Sequence, residues 1–85
     1  MIATLLATDI IGHPPATNLY QLDEPLEGFG YIAVTAFEPF NQSLVVGVTE
    51  TGGVEAETVE ALWHSPNSYV PHTEVLAAIG YEPPA

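Results

Sequence analysis

Phe29-Gly30-Tyr31-Ile32-Ala33-Val34-Thr35-Ala36-Phe37-Glu38 is the stretch that decides the fold. Phe29, Tyr31, Ala33, Thr35 and Phe37 alternate onto one face of a strand, and Ile32, Val34 and Ala36 onto the other. Both faces are largely apolar, which predicts an interior strand covered on both sides. Pro39-Phe40-Asn41-Gln42 reads as a turn, and Ser43 to Thr51, centred on Leu44-Val45-Val46-Gly47-Val48, as the next strand. Gly52-Gly53 follows as a two-residue hairpin signal.

Upstream, Asn18 to Leu22 reads as a short strand and Asp23-Glu24-Pro25-Leu26-Glu27-Gly28 as a polar turn punctuated by Pro and Gly. Met1 to Ile11 is apolar and ends at the breaker Gly12-His13-Pro14-Pro15. Its Thr4 and Thr8 favour a strand over a helix. Downstream, Val54, Ala56 and Thr58 alternate with Glu55 and Glu57 as in an amphipathic edge strand. That strand is expected to give way to a turn by Leu62, with Ser65-Pro66-Asn67-Ser68 as a loop. The last element is a short helix, with Thr73 as cap, Glu74 at its positive end, and Val75, Leu76 and Ile79 as its buried stripe. Gly80 stops it and Pro83-Pro84 bar its continuation.

These elements predict one α+β domain over residues 1–85: a small, mainly antiparallel sheet of three to five strands with one short C-terminal helix. Residues 1–18 form an N-terminal strand or arm, and residues 19–82 a β-rich core ending in the helix at 73–80. A hydrophobic fraction of 47%, with three Phe, four Tyr and one Trp, sets the chain apart from a disordered acidic tail.

Charge limits function more than any motif does. The chain has no Lys or Arg against eleven Asp and Glu, a formal charge of -11. Ordinary domains are about a quarter charged, with both signs represented. Binding a nucleic-acid backbone requires Lys or Arg, so direct DNA or RNA binding is excluded, and anionic membranes repel the chain. Attraction to a basic protein surface is the positive form of the same constraint. With no cysteine there is no disulfide or thiolate site.

Catalytic patterns are weak. His13, His64 and His72 are the only side chains that become cationic near neutral pH. They lack His-x-x-x-His spacing, although His72, Glu74 and a distant His64 could hold a metal. Asp23, Glu24 and Glu27 crowd one turn without the pattern of a calcium loop. Ser65 or Ser68 with His64 or His72 would need a nucleophile elbow, and no Gly-x-Ser-x-Gly is present. No Arg or Lys is available to clamp an anionic substrate. The expectation is a non-enzymatic protein with no catalytic residues, no metal site and no cofactor. A solvated exterior accounts for most acidic runs, but solubility alone would tolerate Lys beside Glu.

Tyr20-Gln21-Leu22-Asp23-Glu24-Pro25-Leu26-Glu27-Gly28-Phe29-Gly30-Tyr31-Ile32-Ala33-Val34-Thr35-Ala36 resembles a group of small accessory proteins encoded by actinobacterial bacteriophages. These run tyrosine, leucine, aspartate, proline, leucine, glycine, aromatic, then an alternating strand. Pro66-Asn67-Ser68-Tyr69 and His72-Thr73-Glu74-Val75-Leu76-Ala77-Ala78-Ile79-Gly80-Tyr81 resemble the family's ending. The likeness covers roughly Leu19 to Glu82. It departs at the final helix, where the family carries Arg or Lys, and Met1 to Asn18 has no counterpart. The family has no established activity, so the resemblance implies context and no site.

Charge and resemblance together lead to an expected function. It is an acidic phage accessory protein in the host cytoplasm, binding and inhibiting a basic host or defence protein as a nucleic-acid mimic. Asp23, Glu24, Glu27, Glu55, Glu57 and Glu60 would supply the charge and Trp63 the aromatic anchor. The partner is a basic protein surface of host or phage origin, with no direct nucleic acid and no membrane. The alternative is a small virion structural or capsid-decoration protein, whose lattice packing would make it a homo-oligomer.

Overall fold

The computed structural model describes residues 1–53, 61–65 and 68–82. Five antiparallel strands run in sequence order across one open sheet: β1 (Ala3–Ala7), β2 (Thr17–Leu26), β3 (Phe29–Phe37), β4 (Gln42–Val48) and β5 (Trp63–Ser65). An α-helix, α1 (His72–Ala78), follows them. The arrangement is the small α+β fold that the alternation implied. No helix among the described residues is long and apolar enough to cross a membrane.

Central strand β3 is apolar on both sides because it is buried on both sides. Ile32 and Val34 join Tyr20, Leu22, Val45, Val75 and Leu76 in a core beneath α1. Ala33 joins Leu19, Val46 and Val48 on the opposite face, where Ala7, Ile10, Tyr31 and Leu44 pack against them. Ile10 belongs to the connection between β1 and β2, so that loop helps to cover the face the helix leaves open. Thr17 and Thr35, opposite one another across β2 and β3, share a buried hydroxyl–hydroxyl hydrogen bond of 2.7 Å.

Strand β2 is longer than its sequence suggests, since Asp23 to Leu26 extends it rather than forming a turn. Pro25 is tolerated because the register with β3 is interrupted between Gln21 and Leu26, and the β1 register ends at Leu22. No ladder partner there needs its missing N–H. The turn is the two-residue Glu27-Gly28 link, with φ of 51° and 86°. Positive φ at both central positions is the type I′ pattern that matches strand twist.

One other link also differs from expectation. Gly52-Gly53 is not the two-residue turn after β4: Gly52 N–H donates to Thr49 O at 2.9 Å and Thr49 N–H to Gly53 O at 2.8 Å. That makes a three-residue loop, Glu50-Thr51-Gly52, with Gly52 at φ 88°. Pro39-Phe40 lies in a 3-10 turn, Glu38–Phe40, closed by left-handed Asn41. The strand expected at Val54 to Thr58 lies outside the described residues. Trp63, next to the turn expected by Leu62, instead starts the short edge strand β5, paired with Val45.

Helix α1 begins one residue before the expected cap. Pro71 occupies the cap position, so Thr73 lies within the first turn and caps nothing. The C-terminus ends as Gly80 implied, at φ 93°. Tyr81 N–H donates to Leu76 O at 2.9 Å and Gly80 N–H to Ala77 O at 3.1 Å, the paired bonds of a Schellman motif.

A Cβ on Gly47 would fall within the Phe29 ring. Gly47→Ala should therefore destabilise by about 1–3 kcal/mol in urea unfolding. In a Phe29→Ala background its effect should shrink; an equal loss in both backgrounds would remove the ring contact as cause. At the I′ turn, Asn tolerates the left-handed region better than Glu. Glu27→Asn should accordingly raise stability by about 0.5–1 kcal/mol, and an unchanged urea midpoint would refute the strain at that position.

Candidate interaction surface

Met1 to Ala3 lies between two chain segments that each carry an acid. On one side Ile2 N–H donates to Asp23 Oδ1 at 2.8 Å, and Asp23 N–H donates back to Ile2 O at 3.1 Å. On the other side Glu82 N–H donates to Met1 O at 2.8 Å, and Ala3 N–H to Glu82 O at 3.3 Å. This is a parallel bridge between Ile2 and Glu82. Strand spacing places the Asp23 and Glu82 backbones roughly 10 Å apart across Ile2. The Tyr81 hydroxyl donates to Glu24 O at 2.6 Å, fixing the next residue of β2 to the same corner.

Asp23, Glu24 and Glu82 thus lie near one end of β1, all exposed, with Glu27 farther along at the hairpin tip. Asp9 is exposed just beyond the opposite end of β1. Glu38, Glu50 and Glu74 stand separately, at the end of β3, in the loop after β4 and in the first turn of α1. Glu55, Glu57 and Glu60 lie outside the described residues. Glu82 was not among the acids singled out from sequence. Its place beside Ile2 comes from a tertiary bridge that nothing in Tyr81-Glu82-Pro83 signals.

Trp63 is half-buried on β5 and packs against the core beneath α1. The exposed large apolar residues lie elsewhere: Met1, Ile2, Leu5 and Leu6 along β1, Ile11 in the following loop, and Tyr69. Edge exposure of this kind follows from strand order, which local sequence does not reveal.

Two of the three histidines, and Ser43, Ser65 and Ser68, are occupied structurally. His13 Nε2 lies 2.7 Å from Gly52 O and His72 Nε2 lies 2.8 Å from Ala16 O. A carbonyl only accepts, so both rings carry hydrogen on Nε2 and staple loops together. His72 holds Ala16, a non-glycine residue at φ 60°, against the start of α1. Ser65 Oγ bonds Ser68 Oγ at 2.9 Å rather than a histidine. Ser43 Oγ donates to Val70 O at 2.7 Å and accepts from Val70 N–H at 2.9 Å, tying the segment before α1 to β4. Among the described residues, no three His, Asp or Glu side chains gather as a metal site and no cavity opens. No family model matches the chain, and no curated protein or solved structure matches it.

Burial, reinforced by the nearby Asp23 and Glu24 carboxylates, pushes the Tyr81 hydroxyl above the ordinary tyrosine range. The folded protein therefore holds the phenol proton longer than the unfolded chain. That stability is fully present below the unfolded value and is lost as pH rises from there through the folded one. Tyr81→Phe should lower stability by about 1 kcal/mol at neutral pH, through loss of the bond to Glu24 O. It should also flatten the decline above about pH 10. Parallel declines in variant and parent, measured by urea unfolding across that range, would rule the linkage out.

Proposed function

We propose that the chain is a non-enzymatic, phage-encoded accessory protein that binds a basic surface of a host or defence protein. The reading rests on one observation: no carboxylate of the chain has a Lys or Arg partner within it. The described carboxylates are exposed, and two of the three histidines are engaged with backbone carbonyls. The charge is consequently available to groups outside the molecule. Asp23, Glu24 and Glu82 form the described concentration of that charge, held by backbone bonds rather than by ion pairs.

An acidic surface of this kind competes with nucleic acid for cationic sites, since both offer negative charge to Lys and Arg. The proposed partner is a protein whose basic face ordinarily holds DNA or RNA, in the host cytoplasm. The Asp and Glu side chains supply encounter rate and register more than final affinity.

Immobilised protein exposed to actinobacterial lysate at low salt should retain a basic, nucleic-acid-binding protein. Affinity for that protein should fall at least about tenfold at high salt, as screening shortens the reach of exposed charges. Added DNA should displace it. Retention with equal affinity at both salt concentrations would refute charge mimicry.

A further inference from the structure

The outer edge of β1 combines three properties. It is the end of the sheet order, so one side of its backbone faces no strand of the sheet. Among the described residues, Glu82 alone occupies that side, at Ile2, through main-chain bonds. Pro83 and Pro84, next in the chain, have no N–H with which to extend that ladder. Antiparallel alternation turns the amide groups of Ile2 toward β2, and therefore turns those of Ala3 and Leu5 outward. The Ala3 N–H is satisfied by Glu82, which leaves the Leu5 N–H as the open donor of this edge among the described residues.

The large side chains along this edge are apolar. Leu5 is 42% exposed, Leu6 is 44% exposed, and Ile11 in the following loop is 99% exposed. Soluble proteins normally guard edge strands with Lys, Pro, inward-pointing charge or a bulge. Met1 to Thr8 contains no charged side chain and no Pro. Its one guard is the register shift between Leu5 and Ala7.

We propose that this edge accepts an extended segment of the basic partner as a sixth strand. The segment would carry apolar residues at its centre and Lys or Arg at both ends. The inference rests on the proposed function and adds where and how the partner is held. Charge complementarity selects the occupant. Exposed Asp9 lies beyond one end of β1, with Asp23, Glu24 and Glu82 at the other, a separation of at most roughly 24 Å along the strand. A second copy paired antiparallel on this edge would set Asp9 of each chain toward the acids of the other. Neither copy contains a Lys or Arg to offset that repulsion. A cationic strand meets attraction at both ends and apolar contact between them. Main-chain bonds would supply affinity and the flanking charges the selectivity, as in other strand-addition complexes.

The test titrates the isotope-labelled full chain with two synthetic peptides of alternating Val and Thr, one ended by Lys and one by Glu. The Lys-ended peptide should bind at least about tenfold more tightly than the Glu-ended one. It should also slow hydrogen exchange at the Leu5 amide, with no matching protection at Trp63 to Ser65. Leu5→Pro removes the outward N–H, and Leu6→Lys installs a guard charge; each should weaken Lys-ended peptide binding at least about tenfold. Thermal unfolding of each variant shows whether it is folded, and exchange on the unaltered chain decides the matter without either variant. Equal binding of both peptides, protection on β5 instead, or no protection of Leu5 would overturn the proposal. Self-association abolished by Leu6→Lys would overturn it in favour of a second copy. The two readings fail separately. If lysate capture stays salt-dependent while both folded variants retain the captured protein unchanged, the edge is wrong and the acidic reading survives. If no basic protein is captured, the acidic reading falls first.

Discussion

Burial of β3 on both faces is the constraint from which the rest of the architecture follows. Ile32 and Val34 look one way and Ala33 and Thr35 the other, and all are buried. A sheet with two apolar faces needs two covers, and the described residues supply one short α-helix. Val75 and Leu76 of α1 close the first face. The second is closed by side chains of the strands themselves, Tyr31 and Leu44 among them, and by Ile10 from the β1–β2 loop. His13 and His72 then have a clear role: they tie that loop to the turn after β4 and to the start of the helix. The loop that covers a face is fixed at its ends by bonds to backbone carbonyls.

Those ties illustrate what the absence of Lys and Arg does to internal cohesion. Every long-range side-chain link described here uses a neutral donor or a backbone group. Thr17 bonds Thr35, Ser43 bonds Val70, Tyr81 bonds Glu24, and even Asp23 spends an oxygen on the Ile2 amide. Buried polar groups must be paired to avoid a desolvation penalty, and this fold pairs them without charge. Carboxylates are consequently kept at the surface, where mutual repulsion opposes compaction but water screens it.

Much of this was legible in the residues, because alternation over Phe29 to Phe37 and the Val45-Val46 run report burial directly. The helix stop at Gly80 was equally readable, since a left-handed residue there leaves few alternatives. Other features depended on neighbours. Pro25 reads as a turn former, and only the interrupted register with β3 lets it stay in a strand. Thr73 reads as a cap, but Pro71 takes that position through its own backbone geometry. In the acidic surface, Asp23, Glu24 and Glu27 stood out by adjacency. Glu82 did not, because it reaches Ile2 across most of the chain's length. The exposed edge of Leu5 and Leu6 was hidden for the same reason: an apolar run looks like core until strand order places it at the rim.

Loss of positive charge and exposure of that rim are physically connected. Lys is a common edge guard because its charge resists burial between paired strands. A chain from which every Lys and Arg is missing must discourage edge pairing by other means. β5 is three residues long, which limits what it can pair with. β1 is longer and apolar, so its protection falls to the register shift after Leu5 and to the acids beyond its ends. Protection by acids is selective where protection by Lys is not. It repels copies of the same chain and other acidic proteins, and it exerts no repulsion on a strand flanked by cations. In the proposed reading, the same absence of positive charge that opposes pairing between copies leaves one edge open to a basic partner.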